Sequence, residues 1–175
     1  MVVRKRLQIT GSALAFITTT ATDGVPVFAD DEIAGVVLDQ FDETLQHFGV
    51  FLVGYVLMPT HLHALLSFPH IEELSHFMQS FKILSAKRVK ELESSRRYNQ
   101  LWSNGSFRLW KIRFDDLIVT SEEQFRVKLD YIHNNPVKAG LVLHPADWRN
   151  SSAGDWLKDV PGRIRIEKTF GWLRE

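Results

Sequence analysis

Apolar positions along the chain switch between two periods, and the switches divide it into elements. Leu14 to Thr20 is rich in β-branched residues and runs into Asp23-Gly24, the mark of a strand closed by a turn. From Asp30 to Phe48 the residues Ile33, Val37, Phe41, Leu45 and Phe48 recur at helical spacing, with Asp30 or Asp31 placed to cap the start and Gly49 to stop the end. Two nearly continuous apolar runs follow, Val50 to Met58 and His61 to Phe68. Joined by Pro59-Thr60, they read as two central strands and a tight turn. Ile71, Leu74, Phe77, Met78, Phe81 and Leu84 predict a long amphipathic helix. Asn99 to Ser106 is polar apart from Leu101 and Trp102 and reads as a loop. Phe107 to Thr120 holds a further strand, and Ser121 with Glu122 and Glu123 opens the next helix. The order β-α-β-β-α-β-α predicts an α+β fold of the ferredoxin-like, split βαβ kind, an antiparallel sheet with helices packed on one face. Residues 1–160 are expected to form a single domain and 161–175 a C-terminal tail, in which Gly162 to Lys168 could add an edge strand.

Composition narrows the chemistry. The 175 residues contain no cysteine, which excludes disulfides, thiolate metal sites and thiol nucleophiles and suits a reducing cytoplasm. No run of about 18 apolar residues is present to cross a membrane. Arg4, Lys5 and Arg6 followed by Ala13 to Ile17 imitate a signal peptide, but Gln8, Thr10, Gly11 and Ser12 break the apolar core, so a cytoplasmic protein is expected. The formal net charge of zero conceals two opposed segments. Ala21 to Phe48 holds seven acids (Asp23, Asp30, Asp31, Glu32, Asp39, Asp42, Glu43) and no Lys or Arg. Lys82 to Arg113 holds nine bases (Lys82, Lys87, Arg88, Lys90, Arg96, Arg97, Arg108, Lys111, Arg113) against Glu91 and Glu93. With Tyr98, Trp102, Phe107 and Trp110 among its charges, the basic segment suits a phosphate backbone with unstacked bases, and equally a solvated helix face over buried aromatics.

Two constellations carry candidate chemistry. His61-Leu62-His63 opens a strand, where residues i and i+2 share a face, so both imidazoles project together as a metal pair or as rings that need hydrogen-bond partners. In the helix after Ser121, Phe125, Leu129, Ile132 and Pro136 form a core-facing stripe, while Gln124, Lys128, Tyr131 and Asn135 form a second, polar one. That places a phenol and an amide one turn apart. The same residues also suit a half-buried tyrosine and an Asn that ends the helix before Pro136. His47, His70, His76, His133 and His144 lack comparable spacing and read as surface or packing residues, His133 at i+2 from Tyr131 pointing elsewhere.

Tyr55-Val-Leu-Met-Pro-Thr-His61-Leu-His63-Ala-Leu-Leu and Tyr131-Ile-His-Asn-Asn135-Pro-Val-Lys-Ala-Gly-Leu-Val142, in this order, resemble the HUH-type single-tyrosine transposases, the insertion-sequence and REP-associated group. Leu109-Trp-Lys-Ile-Arg-Phe-Asp-Asp and Asp147-Trp-Arg-Asn-Ser-Ser-Ala153 extend the likeness, which covers roughly residues 5 to 157. Thr60 stands where the group usually has Asn, and Lys111-Ile112 where Gln followed by another residue is common.

The resemblance implies a metal-dependent transposase that nicks and rejoins single-stranded or hairpin DNA. It implies that His61, His63 and Asn135 bind one divalent ion, Mg²⁺ or Mn²⁺, and that Tyr131 attacks a phosphodiester to give a 5′-phosphotyrosine and a free 3′-OH. A phenol of pKa about 10 is a poor nucleophile at neutral pH and needs the ion's charge nearby. Lys128 and Lys138 could add positive potential or simply be solvated, and the basic segment would carry the DNA in the nucleoid. Two subunits would ease cleavage at two ends, so a homodimer fits, as does a monomer. A domesticated hairpin-binding protein on the same fold is the alternative, although it would not need Tyr131, His61 and His63 together. An HxH metallohydrolase would want a nearby carboxylate, and no acid lies between His63 and Glu72.

Overall fold

The computed structural model describes residues 9–93 and 97–169. Strand β1 (Ala13–Thr20) leads into helix α1 (Asp31–Phe48). The Asp30 carboxylate caps α1 by accepting from the amides of Glu32 and Ile33, and Gly49 ends it at φ 61°, in the left-handed region that glycine tolerates best. Strands β2 (Phe51–Leu57) and β3 (His61–Phe68) form the expected hairpin, and helix α2 (Leu74–Leu92) follows. A ribbon of β4 (Trp102–Ser103) and β5 (Ser106–Phe107) precedes β6 (Asp115–Val119), α3 (Glu122–Lys138) and the short α4 (Ala153–Lys158). The ribbon replaces part of the expected loop. Its turn is Asn104-Gly105, both at positive φ, as a two-residue hairpin demands.

The four long strands pair antiparallel throughout in the order β2-β3-β1-β6, the ferredoxin-like arrangement. Alternation along the strands divides the core in two. Ala15 and Ile17 of β1 and Leu62, Ala64 and Leu66 of β3 pack with Phe41 of α1 and Phe77 and Phe81 of α2. Leu14, Phe16, Val53, Val56 and Leu65 point the other way and meet Phe125 and Ile132 of α3. Thus α1 and α2 share one face as expected, whereas α3 covers part of the opposite face. The stripe of α2 also turns slightly from the expected one. Leu84 is exposed, and Ser85 is buried instead, because its hydroxyl accepts the indole N–H of Trp110 at 2.9 Å.

The segment after α3 wraps the free edge of β2. Leu57 N–H donates to Asn150 O, Ser152 N–H to Tyr55 O, and Glu167 N–H to Leu52 O. The indoles of Trp148 and Trp156 add bonds to Leu57 O and Val53 O. The expected strand over Gly162 to Lys168 is absent from the described residues, since Asn150 to Ser152 already occupy that edge. The tail aromatics Phe170 and Trp172, and Arg4 to Arg6, lie outside the described residues.

One polar group joins three elements. Buried Ser152 Oγ accepts the Tyr55 N–H at 2.9 Å and lies 2.9 Å from His133 Nε2 on α3. Beside it, a Cβ on Gly54 would fall 2.7 Å from Leu129 Cδ1, so this glycine permits the close approach of α3 to β2. Replacing Ser152 by Ala would strand the Tyr55 amide and the His133 ring. We expect a loss of about 1–3 kcal/mol in urea unfolding; an unchanged midpoint would contradict the junction's role.

Candidate active site

Strand register places the two histidines on the face that α3 covers. His63 stands opposite Thr18 of β1, and the Thr18 hydroxyl lies 2.7 Å from His63 Nδ1. The Thr60 hydroxyl lies 2.8 Å from His61 Nδ1. Each Nδ1 is therefore tied to a threonine, which fixes the ring and leaves Nε2 for the open side. The rings sit 4.6 Å apart, centroid to centroid. Phe16 stacks on His63 at 5.5 Å and meets Tyr131 edge-on at 6.1 Å, forming an apolar floor.

Helix α3 brings the second constellation over this floor. With Phe125, Ile132 and Pro136 buried against the sheet, the neighbouring stripe presents Tyr131, whose hydroxyl approaches His63 Nε2 to 3.5 Å. Asn135, one turn on, shares that stripe and is half-buried. The helix runs through Pro136 to Lys138, so Asn135 is an interior helical residue and not its end. The structure therefore brings together His61, His63, Tyr131 and the turn of α3 that bears Asn135. Among the described residues no cluster of three or more His, Cys, Asp or Glu could hold a metal, so any ion here depends on the two imidazoles and the amide.

Burial sets the protonation of the site. It holds His61 below the ordinary imidazole range, and it pushes His63 down to about 3, with the neighbouring His61 and Lys128 adding to the shift. Both rings are thus neutral at pH 7 and keep a lone pair. His133 is also buried, which lowers it to about 4, and it serves the Ser152 junction rather than the site.

The basic segment is placed differently from the expectation that all of it faces the substrate. Helix α2 lies on the far face of the sheet, and much of its charge is spent locally. Arg88 forms a two-pronged pair with Glu43 of α1, Arg97 bridges Asp30 and Glu93, and Lys82 donates to the carbonyls of Lys111 and Ile112. Lys90 lies over the Trp102 ring at 5.7 Å. Lys111 differs. Its N–H donates to Thr20 O, and its neighbour Trp110 bridges Ala21 into the core under α1 and α2. Lys111 therefore sits beside the end of β1 and lines a pocket with Lys82 and Ile83 of α2. Lys87, Arg108 and Arg113 make no ion pair with a described residue, and Arg96 lies outside the described residues. Thr18 and Phe16 are site residues that sequence reasoning missed. Their even-numbered positions on β1 would reveal them only once its register against β3 was known.

The sequence profile described as transposase IS200 like matches residues 17–135, a span that holds both histidines, the tyrosine and the asparagine. The chain belongs to the IS200-like transposase family. This transposase is 25% identical over 170 residues to a REP-associated tyrosine transposase of Haemophilus influenzae, covering 95% of this chain and 92% of that one. Its fold is like that of a REP-associated tyrosine transposase bound to a REP hairpin, with TM-score 0.73, 19% identity and coverage of 100% and 98% of the two chains. A transposase structure from Deinococcus radiodurans is more distant, with TM-score 0.50, 20% identity and coverage of 77% of this chain and 97% of the other. Among the described residues, no helix of the transposase is long and apolar enough to cross a membrane.

The buried histidines give the transposase a pH dependence of known sign. Above about pH 6.5 they are neutral whether folded or unfolded; below it, the unfolded chain takes up protons first. Stability is thus expected to fall as pH drops from about 6.5 toward about 4, by up to ~1.4 kcal/mol per pH unit for each such ring. Urea midpoints across that range test this, with His133→Gln removing part of the slope. A His133 NMR titration midpoint near 6.5 would contradict it.

Proposed function

We propose that this transposase cuts and rejoins single-stranded or hairpin DNA through a covalent phosphotyrosine at Tyr131. The observation that carries the reading is the meeting of two motifs 68 residues apart in sequence, Tyr131 Oη against His63 Nε2. A phenol aimed at two neutral, oriented imidazoles on a partly open sheet face suits attack on a phosphodiester. The likeness to a transposase bound to a REP hairpin supports DNA of that form as substrate.

The donor set fits a divalent ion. Two imidazoles whose Nδ1 atoms are held by Thr18 and Thr60, with Asn135 one turn beyond Tyr131 on α3, would form a weak and incomplete shell that suits Mg²⁺ or Mn²⁺ finished by phosphate oxygen and water. Such an ion would polarise the scissile phosphate and offset its developing charge. The chain's own residues do the rest. Phe16 and the packing of α3 fix the phenol's position, and Tyr131 Oη forms a bond to phosphorus as the P–O3′ bond breaks. The phenol gives its proton to solvent, and the departing oxygen takes one to become the 3′-OH. The phosphotyrosine keeps the phosphoester linkage, so a 3′-OH can later reverse the step without ATP.

The retention of Tyr131, both histidines and Asn135 in one site favours catalysis over hairpin binding alone.

With Mn²⁺ and an end-labelled hairpin oligonucleotide, the expected outcome is a protein–DNA adduct that survives denaturation. It should be lost with EDTA and in Tyr131→Phe, and be reduced at least ~100-fold in His63→Ala. Cut DNA without an adduct would overturn the tyrosine mechanism in favour of hydrolysis; binding without cutting would overturn it in favour of a hairpin-binding protein.

A further inference from the structure

Two lysines of α3 converge on the nucleophile, one from each side of it along the helix. Lys128 lies three residues before Tyr131 and Lys138 seven residues after it, about 4.5 Å and 10.5 Å along the helix axis. Yet their side chains bend toward one point. Lys128 Nζ is 5.9 Å and Lys138 Nζ 5.8 Å from the centre of the Tyr131 ring. Lys128 Nζ also lies 4.7 Å over Phe16, the ring stacked on His63.

Apart from these rings, neither ammonium has a charged partner on its own helix. Positions three and four residues away on α3 give Lys128 only Gln124, Phe125, Tyr131 and Ile132, and give Lys138 only Asn134 and Asn135 before it. No described carboxylate pairs with either lysine. Arg126, on the same helix, pairs with Glu122 one turn away, and Arg88, Arg97 and Arg163 all face acids. Positive charge is left uncompensated beside the tyrosine, next to neutral histidines and over an apolar floor. Such a place is filled by an anion, and the separation of the two ammoniums, at most about 12 Å from their distances to the shared ring, can span a phosphate and its neighbour along a strand.

We infer that Lys128 and Lys138 form a phosphate clamp, which holds the scissile phosphodiester and the next phosphate across the face of Tyr131. The inference rests on the phosphotyrosine reading above and assigns the phosphate contacts beside the Tyr131 ring. Lys128, above Phe16, meets a non-bridging oxygen of the scissile phosphate. Its charge is best placed when Oη bonds to phosphorus and the P–O3′ bond lengthens, so its contribution appears in the rate more than in affinity. Lys138 holds the flanking phosphate, and its contribution appears in affinity.

The test is single-turnover adduct formation with Mn²⁺ and the end-labelled hairpin oligonucleotide, alongside hairpin binding measured in the non-cleaving Tyr131→Phe background. Lys128→Gln should slow adduct formation about 10- to 100-fold while weakening binding less than about 3-fold, and Lys128→Arg should restore most of the rate. Lys138→Gln should weaken binding and lower its dependence on salt, as removal of one phosphate contact does. Urea midpoints within error of the parent would confirm that the fold is intact, both side chains being outside the core. Wild-type rate and affinity in the Lys128→Gln, Lys138→Gln double variant would overturn the clamp while leaving the tyrosine mechanism standing. If the parent protein itself forms no adduct, the mechanism fails first, and the clamp falls with it.

Discussion

The site depends on the docking of α3 against the sheet face that α1 and α2 leave bare. Phe125 and Ile132 are buried there, each worth about 1.5–3 kcal/mol relative to exposure, and the axial position is fixed by Gly54 and the His133–Ser152–Tyr55 junction. The histidines are carried by β3 and the tyrosine by α3, so only this packing makes them neighbours. A small rotation of α3 would keep the core stripe apolar while turning Tyr131 away from His63. The polar junction and the close approach at Gly54 resist that rotation, and the edge wrap by Asn150 to Ser152 ties the same junction to β2.

The second constraint is electrostatic. A net charge of zero divides into an acidic segment around α1 and a basic one around α2, and the fold lays these two helices side by side. Arg88–Glu43 and Arg97–Asp30 then neutralise charge that in sequence alone resembles a nucleic-acid track. Exposed pairs of this kind add little to stability, roughly 0.2–1 kcal/mol each, but they offset part of the positive charge on the far face. On the catalytic face Lys128 and Lys138 lie 5.9 Å and 5.8 Å from the centre of the Tyr131 ring, and burial keeps His61 and His63 neutral at pH 7. Positive charge is thereby focused where the phenol stands.

Much of this was legible in the sequence because periodicity reports directly on faces. The spacing from Ile33 to Phe48 marks α1, the His61/His63 alternation puts both rings on one face, and the two stripes of α3 separate core from chemistry. Three things were not legible. Which face of the sheet α3 covers is a tertiary choice, since its stripe fits either apolar face. The Thr18 hydroxyl on His63 depends on the register of strands 45 residues apart. The pairing of Arg88 and Arg97 depends on the packing of α1 beside α2, whereas a charge count along the chain treats every base as available. Asn104-Gly105 was legible in principle, since that dipeptide favours the tight hairpin found there.

The central claim is that α3 delivers Tyr131, and no other nucleophile, to a phosphate held before His61 and His63. Peptide mapping by mass spectrometry of the protein–DNA adduct tests it most directly. A nucleotide phosphate linked to the peptide containing Tyr131, and to no peptide containing Tyr55 or Tyr98, is the result the account predicts. Linkage at another residue, or cleaved DNA with an unmodified Tyr131 peptide throughout the reaction, would contradict it.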